Sequence, residues 1–281
     1  MLIHAPAKIN WSLDITGQRA DGYHLMDMLM QPVSLYDDVF LEEAPELELT
    51  CSGTPLLPAD ESHLALRAAR ALAQAAGRDA AVRIHVHKRI PVQAGMGGGS
   101  ADAAAVLHGL NRLWELRYSQ DRLEEIGLTL GADVPFCLRG GLQRVTGIGE
   151  IIRPCAGCPS FPLVVIQPCG GLSTGAVFRA YHSQTEIRHP DSDGVQHALE
   201  AADLNALAQS IGNVLQPVSE KMQPEIGAAI RALKEAGAAI ALMTGSGSAV
   251  FGIFREEKEA ASAQALLKQR WERCWCCHSL E

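Results

Sequence analysis

Pro91-Val-Gln-Ala-Gly-Met-Gly-Gly-Gly-Ser-Ala-Asp-Ala-Ala-Ala105 decides how this chain is read. Four of the five residues from Gly95 to Gly99 are glycine. Glycine reaches positive φ and lets a ligand approach the main chain, so such a loop can fold its N–H groups around an anion. Upstream, Val82, Ile84 and Val86 alternate with Arg83, His85 and His87, the period of a half-buried strand. Downstream, Ala103, Val106, Leu107, Leu110, Leu113 and Trp114 fall at helical spacing. Strand, glycine loop and helix together aim a helix N-terminus and its dipole at one spot, and phosphate is the expected guest. A plain connector is the competing reading. The loop is no P-loop, because no lysine lies between Lys88 and Lys221. It also lacks the third glycine of a dinucleotide fingerprint, with Ser100 in that place.

The 281 residues suffice for one large or two modest domains, and 47% hydrophobic with 20% charged residues is ordinary globular composition. A net charge of −8 without a Lys/Arg cluster speaks against nucleic acid as a partner. No apolar run approaches the ~20 residues of a membrane helix, and Met1 to Lys8 holds no signal-peptide core. A cytoplasmic protein with no membrane partner is expected, its eight cysteines free thiols. Cys155-x-x-Cys158 lacks the second pair of a zinc site, and His85 with His87 has no carboxylate partner, so no metal ligands are assigned. Leu280-Glu281 reads as a cloning remnant.

Along the chain, Ile9, Trp11, Leu13 and Ile15 take one strand face while Lys8, Asn10, Ser12 and Asp14 take the other. Strands are expected at 38–43 and 46–51. Asp60-Glu-Ser62 is expected to cap a helix ended by Gly77, and Ser119 another. Residues 142–146 and 150–153 read as a hairpin, and Arg153 to Ser160 as a linker. Beyond it come a strand at 163–167, a helix from Ser173-Thr174, and a polar stretch without period at 183–197. Helices at 203–211 and 224–236, strands at 238–243 and 249–254, a helix at 256–270 and a strand at 272–277 suggest a ferredoxin-like layer.

Three segments, Pro6-Ala-Lys-Ile-Asn10, Pro91 to Ala105 and Met243-Thr-Gly-Ser-Gly-Ser-Ala-Val-Phe251, resemble in order and spacing the three signature motifs of the GHMP small-molecule kinases. The resemblance covers nearly the whole chain. It implies a two-domain α+β fold: an N-terminal α/β domain over 1–155, like one found in ribosomal proteins, and a ferredoxin-like C-terminal domain over 156–281, with the active site in the cleft between them. Thr16-Gly-Gln-Arg-Ala-Asp-Gly-Tyr-His24 and Leu128-Thr-Leu-Gly-Ala-Asp-Val-Pro-Phe136 narrow the match to the branch with a cytidine-diphosphate-linked substrate. The implied reaction is ATP-dependent phosphorylation of the 2-hydroxyl of 4-diphosphocytidyl-2-C-methyl-D-erythritol, in non-mevalonate isoprenoid precursor biosynthesis, with Mg²⁺ bridging phosphate oxygens.

By the same resemblance Lys8 and Asp133 are the catalytic pair, Asp133 as general base. Pro91, Gly95, Met96, Gly97, Gly98, Gly99, Ser100 and Ala101 hold ATP. Tyr23 and Phe178 sandwich the cytosine, the His24 backbone reads its edge, Asn10 contacts the substrate and Thr174 its diphosphate. Thr244 to Ser248 has the composition of a second anion nest or of a tight hairpin. His63 stands where relatives commonly carry the asparagine near the adenine, which leaves that contact undefined. A monomer or weak homodimer acting on small molecules is expected. Two other readings stay open: a GHMP kinase for homoserine or mevalonate, and a non-catalytic nucleotide- or RNA-binding module.

Overall fold

The computed structural model describes residues 1–53, 60–184 and 186–280. Glu281, and Thr185 within the polar stretch 183–197, lie outside the described residues.

The chain opens with two long strands, β1 (Leu2–Gln18) and β2 (His24–Glu43), and the shorter β3 (Glu48–Gly53). Helix α1 (Leu64–Ala76), strand β4 (Val82–Lys88) and helices α2 (Gly98–Leu113), α3 (Gln120–Leu128) and α4 (Val134–Arg139) follow. Strands β5 (Gln143–Gly147), β6 (Ile151–Pro154) and β7 (Pro162–Ile166) lead into helices α5 (Thr174–Tyr181), α6 (Ser192–Glu200) and α7 (Leu204–Ser210). Then come β8 (Gly212–Asn213), α8 (Gln216–Met222), α9 (Glu225–Glu235), β9 (Ile240–Met243), β10 (Val250–Ile253), α10 (Glu257–Leu267) and β11 (Cys274–His278).

Two compact units interleave in sequence. One holds residues 1–7, 35–90 and 97–140; the other holds 8–34, 91–96 and 141 onward. The sequence reading divides the chain once, at 155/156. The units divide it several times because β1 and β2 are each long enough to contribute to both.

In the first unit β4 pairs antiparallel with Asp38–Glu43 of β2 and parallel with β3. Helix α1 buries Ala65, Leu66, Ala68, Ala69, Leu72 and Ala73, and this small-residue stripe packs against alanine-rich α2. The cap of α1 differs from expectation. His63 is the N-cap, its Nδ1 accepting the Ala65 N–H at 3.2 Å, whereas Asp60 spends its carboxylate on Ser62. At the other end Gly77 takes the left-handed conformation expected of a helix stop. His85 and His87 share hydrogen bonds with Thr50 and Ser52 of β3.

In the second unit β5 pairs with Met26–Met30 of β2 and with β6, the expected hairpin. Strand β8 runs parallel to β1 at Ser12 and Leu13. A separate antiparallel sheet has the order β11-β7-β10-β9, with α9 and α10 packed against it. Counted in sequence its strands run 4-1-3-2, the ferredoxin-like order. The core centres on Trp11, edge-on to Phe161 and Phe251, with its Nε1–H donating to Gln31 Oε1 at 2.7 Å. The stretch 153–160 is anchored, since Cys158 is buried against Gln31. Among the described residues no two cysteines are joined in a disulfide.

Four of these elements escape the sequence pattern. Strand β2 begins at His24, well before the expected 38, because Pro32 and Asp27 interrupt its apolar period. Helices α4 and α8 are short, and each carries a proline in its first turn. Helix α6 starts inside the polar stretch, where Asp191 caps it through the Gly194 N–H.

Candidate active site

In β1 the polar face is interior. Lys8 is 5% exposed and Asn10 0%, and Ser12 and Asp14 are buried as well. Alternation alone predicts a solvated face here. An ammonium at this depth must be hydrogen-bonded, and Lys8 Nζ donates to Asn10 Oδ1 at 2.7 Å.

Asn10 is the hub of the second unit's polar network. Its Oδ1 also accepts the Gly245 N–H at 3.0 Å, and its own N–H donates to Thr244 Oγ1 at 3.0 Å. The Lys8 N–H donates to the Met96 carbonyl at 3.0 Å, and the Ala249 N–H to the Ala94 carbonyl at 3.1 Å. The 91–96 segment is thereby fixed to β1 and to the 244–249 turn. Gly95 makes the closest approach: with φ at +76°, a Cβ added there would stand 2.3 Å from the Thr244 carbonyl oxygen.

The turn itself is a tight β9–β10 connection. Gly247 N–H donates back to Thr244 O at 3.0 Å, so with Gly245 two of its N–H groups are already used. Asn213 supports it from below, donating to the carbonyls of Met243 and Gly245 at 2.9 and 2.8 Å. Ser246 Oγ lies 2.9 Å from Thr174 Oγ1, at the start of α5. Of these partners Thr244 and Ser246 belong to the turn read from the sequence as an anion nest or a tight hairpin, whereas nothing in the sequence points to Asn213.

The ring against Phe178 is His24, centroids 4.8 Å apart and tilted by 37°, while Tyr23 is 60% exposed. His24 also stacks on His182 at 4.9 Å, and their Nε2 atoms are 3.1 Å apart. One of the two nitrogens therefore donates and the other accepts. Burial, aided by the charge His182 can carry, holds the His24 imidazole below the usual histidine value.

In the first unit Gly97 is the left-handed N-cap of α2, φ +70°, with no side chain capping the helix. Among the described residues no side chain caps the first-turn N–H groups of α2, the condition for binding an anion. Gly98, Gly99, Ser100 and Ala101 form that turn, the Ala101 N–H being the first to bond back, to Gly97 O at 2.9 Å. Half-buried Asp133 occupies the N-cap position of α4 without spending its side chain on the cap. Beneath the first turn of α2, Lys88 pairs with Asp37 and Asp102, all buried. Nothing in the sequence singles out these three beyond Asp102 standing as an acidic residue inside an alanine run.

Two family models match the chain: the GHMP kinases N terminal domain over residues 63–141 and the GHMP kinases C terminal over 195–273. The 4-diphosphocytidyl-2-C-methyl-D-erythritol kinase of Alkaliphilus metalliredigens is 42% identical over 258 residues, 92% of this chain and 89% of its own. A crystal structure of 4-(cytidine 5'-diphospho)-2C-methyl-D-erythritol kinase superposes with a TM-score of 0.87 at 33% identity, covering 100% of both chains. A homoserine kinase from Cytophaga hutchinsonii has a TM-score of 0.77 over 100% of this chain and 94% of its own, but only 17% identity, a likeness of fold alone. The chain belongs to the GHMP kinases, in the 4-diphosphocytidyl-2-C-methyl-D-erythritol kinase family.

Proposed function

We propose that this protein transfers the γ-phosphoryl group of ATP to the 2-hydroxyl of 4-diphosphocytidyl-2-C-methyl-D-erythritol, releasing ADP and the 2-phosphate. The observation that carries the nucleotide half is the glycine-started, side-chain-uncapped N-terminus of α2. The family relation carries the choice of acceptor. The two family matches fall on either side of 155/156, which supports keeping that boundary between the N- and C-terminal domains.

In this reading Pro91, Gly95 and Met96 shape the loop, and the main chain from Gly97 to Ala101 faces the ATP phosphates. The hydroxyl oxygen bonds to the γ-phosphorus as the bond from phosphorus to the β,γ-bridging oxygen breaks. ADP leaves with that electron pair, and the hydroxyl proton passes to Asp133. Lys8 supplies positive charge for the oxygen anions that develop. Asn10, held by Thr244 and Gly245, fixes where that ammonium sits. Tyr23 offers an open ring face to cytosine, and Phe178, one face already against His24, offers the other. The His24 main chain reads the base edge, and Thr174 meets the diphosphate.

Among the described residues no three His, Cys, Asp or Glu side chains converge as a metal cage. Mg²⁺, when bound with ATP, would be held chiefly by phosphate oxygens and water and would neutralise charge on the transferring group, and no step here is routed through it. No described helix is long and apolar enough to cross a membrane, and a cytoplasmic, monomeric or weakly dimeric enzyme completes the reading.

An ADP-release assay with this substrate, homoserine and mevalonate tests it. Turnover of the first alone, with Mg²⁺, is expected; a folded protein inert towards it refutes the reading. Asp133→Asn is expected to lower kcat by roughly 10²–10⁴-fold with ATP affinity kept, and near-normal turnover would remove Asp133 as the base.

A further inference from the structure

The group of side chains beneath the nucleotide loop has no part in the chemistry above, yet it joins both ends of that loop. Asp37 Oδ1 accepts the N–H groups of Arg89 and Ile90, at 2.5 and 2.8 Å, where the chain enters the loop. Lys88 Nζ donates to Asp37 Oδ2 and, at 2.6 Å, to Asp102 Oδ2 on α2, where the chain leaves it. The same Nζ lies 3.4 Å from where a Cβ on Gly98 would stand, against the first residue of α2.

The network is unbalanced in charge. Two carboxylates and one ammonium, fully ionised, leave one negative charge in a site where Asp102 is 0% exposed. Asp102 Oδ1 is buried with no hydrogen-bond partner among the described residues. An ionised carboxylate in that position carries a desolvation cost that a single proton removes. Burial pushes the Asp102 carboxyl up to about 7, with Lys88 opposing the rise and Asp37 adding to it.

The other ionisable groups on this face are Cys51 from β3 and His63 at the head of α1, 3.7 Å apart. Burial raises the thiol and lowers the imidazole, so both stay neutral near pH 7. Helices α3 and α4, also packed on α2, bury apolar Leu123, Ile126, Phe136 and Leu138.

We infer that Asp37, Lys88 and Asp102 position the nucleotide loop and that Asp102 takes up a proton when the triphosphate binds. The inference rests on the ATP reading of the α2 N-terminus. A polyanion there adds negative charge close to a carboxylate that is only marginally ionised, and the protonated form is favoured. Because the bound state holds more protons, ATP affinity falls as pH rises above about 7, by at most about tenfold per pH unit. Asp37, Lys88 and Asp102 act through the loop and are positioning residues.

Calorimetric titration with MgATP at pH 7.5, in buffers of different ionisation enthalpy, counts the protons taken up. The unmutated protein is expected to take up a substantial fraction of one proton more than Asp102→Asn. Its ATP affinity should fall relative to that variant between pH 7 and 9. Equal uptake in both proteins overturns the inference while leaving the ATP reading intact; absence of ATP binding overturns both. Infrared difference spectra of the unmutated protein give the same test without a variant. ATP should raise a protonated-carboxyl band that vanishes at high pH, and no such band refutes the proton uptake.

Discussion

Replacing Gly95 by alanine probes how tightly the loop and the 244–249 turn are closed on each other. Two costs add. The backbone sits at φ +76°, where an L side chain costs roughly 1–2 kcal/mol. The new Cβ would also meet the Thr244 carbonyl oxygen at 2.3 Å and Gly247 N at 3.1 Å, both main-chain atoms. Ordinary contact begins near 3.4 Å, so the carbonyl must retreat by 1.1 Å, the difference between 3.4 and 2.3 Å. That carbonyl accepts the Gly247 N–H at 3.0 Å, and the neighbouring Gly245 N–H is held by Asn10 at 3.0 Å. Losing one such buried bond costs about 1–3 kcal/mol, which brings the total to about 2–5 kcal/mol. Gly77→Ala is the matched control. Its φ is +63° with nothing within 4 Å of the added Cβ, so it carries the dihedral cost alone. Urea unfolding of both variants, compared by midpoint at constant slope, separates the two costs. Gly95→Ala is expected to lose at least about 1 kcal/mol more than Gly77→Ala, and its turnover should drop with it. Equal destabilisation would mean that the Thr244 carbonyl does not close over Gly95.

Asn10→Ala removes the acceptor shared by Lys8 Nζ and the Gly245 N–H; a loss of about 2–4 kcal/mol in urea unfolding is expected, smaller for Asn10→Asp, which keeps an acceptor. His63 gives stability a pH slope of known sign. Its imidazole is held below the usual 6.5, by burial first and by Lys88 second, while the unfolded chain titrates normally. Its contribution is present above 6.5 and is lost as pH falls below it, at up to about 1.4 kcal/mol per pH unit. His63→Asn, which can still cap α1, should flatten that part of the profile, and an unchanged slope would acquit His63.

Much of the architecture was legible because it rests on local periods. The alternation in Val82–Val86, the helical spacing after Gly99 and the paired strands around Thr244–Ser248 all reappear as elements. The glycines at 95 and 97 foretold left-handed backbone. What stayed hidden depends on partners distant in sequence. Nothing local says that Lys8 and Asn10 face inward, since burial comes from Thr244 and Gly245, more than 230 residues away. Lys88, Asp37 and Asp102 look like ordinary surface charges until β2, β4 and α2 bring them together. The His24–Phe178 contact was obscured by its more exposed neighbour Tyr23, a plausible stacking residue on type alone.

The order β11-β7-β10-β9 also has a consequence for biosynthesis. Strand β7, the wholly apolar Pro162-Leu-Val-Val-Ile166, is made first of the four yet pairs on both sides with strands made later. β10 starts at Val250 and β11 at Cys274, so both edges of β7 remain open while more than 80 further residues are translated. The β-prone, uncharged run 163–166 with free edges is a template for pairing with another nascent chain. The ferredoxin-like unit therefore has a period of vulnerability written into its strand order, closed only when Cys274–His278 docks beside β7.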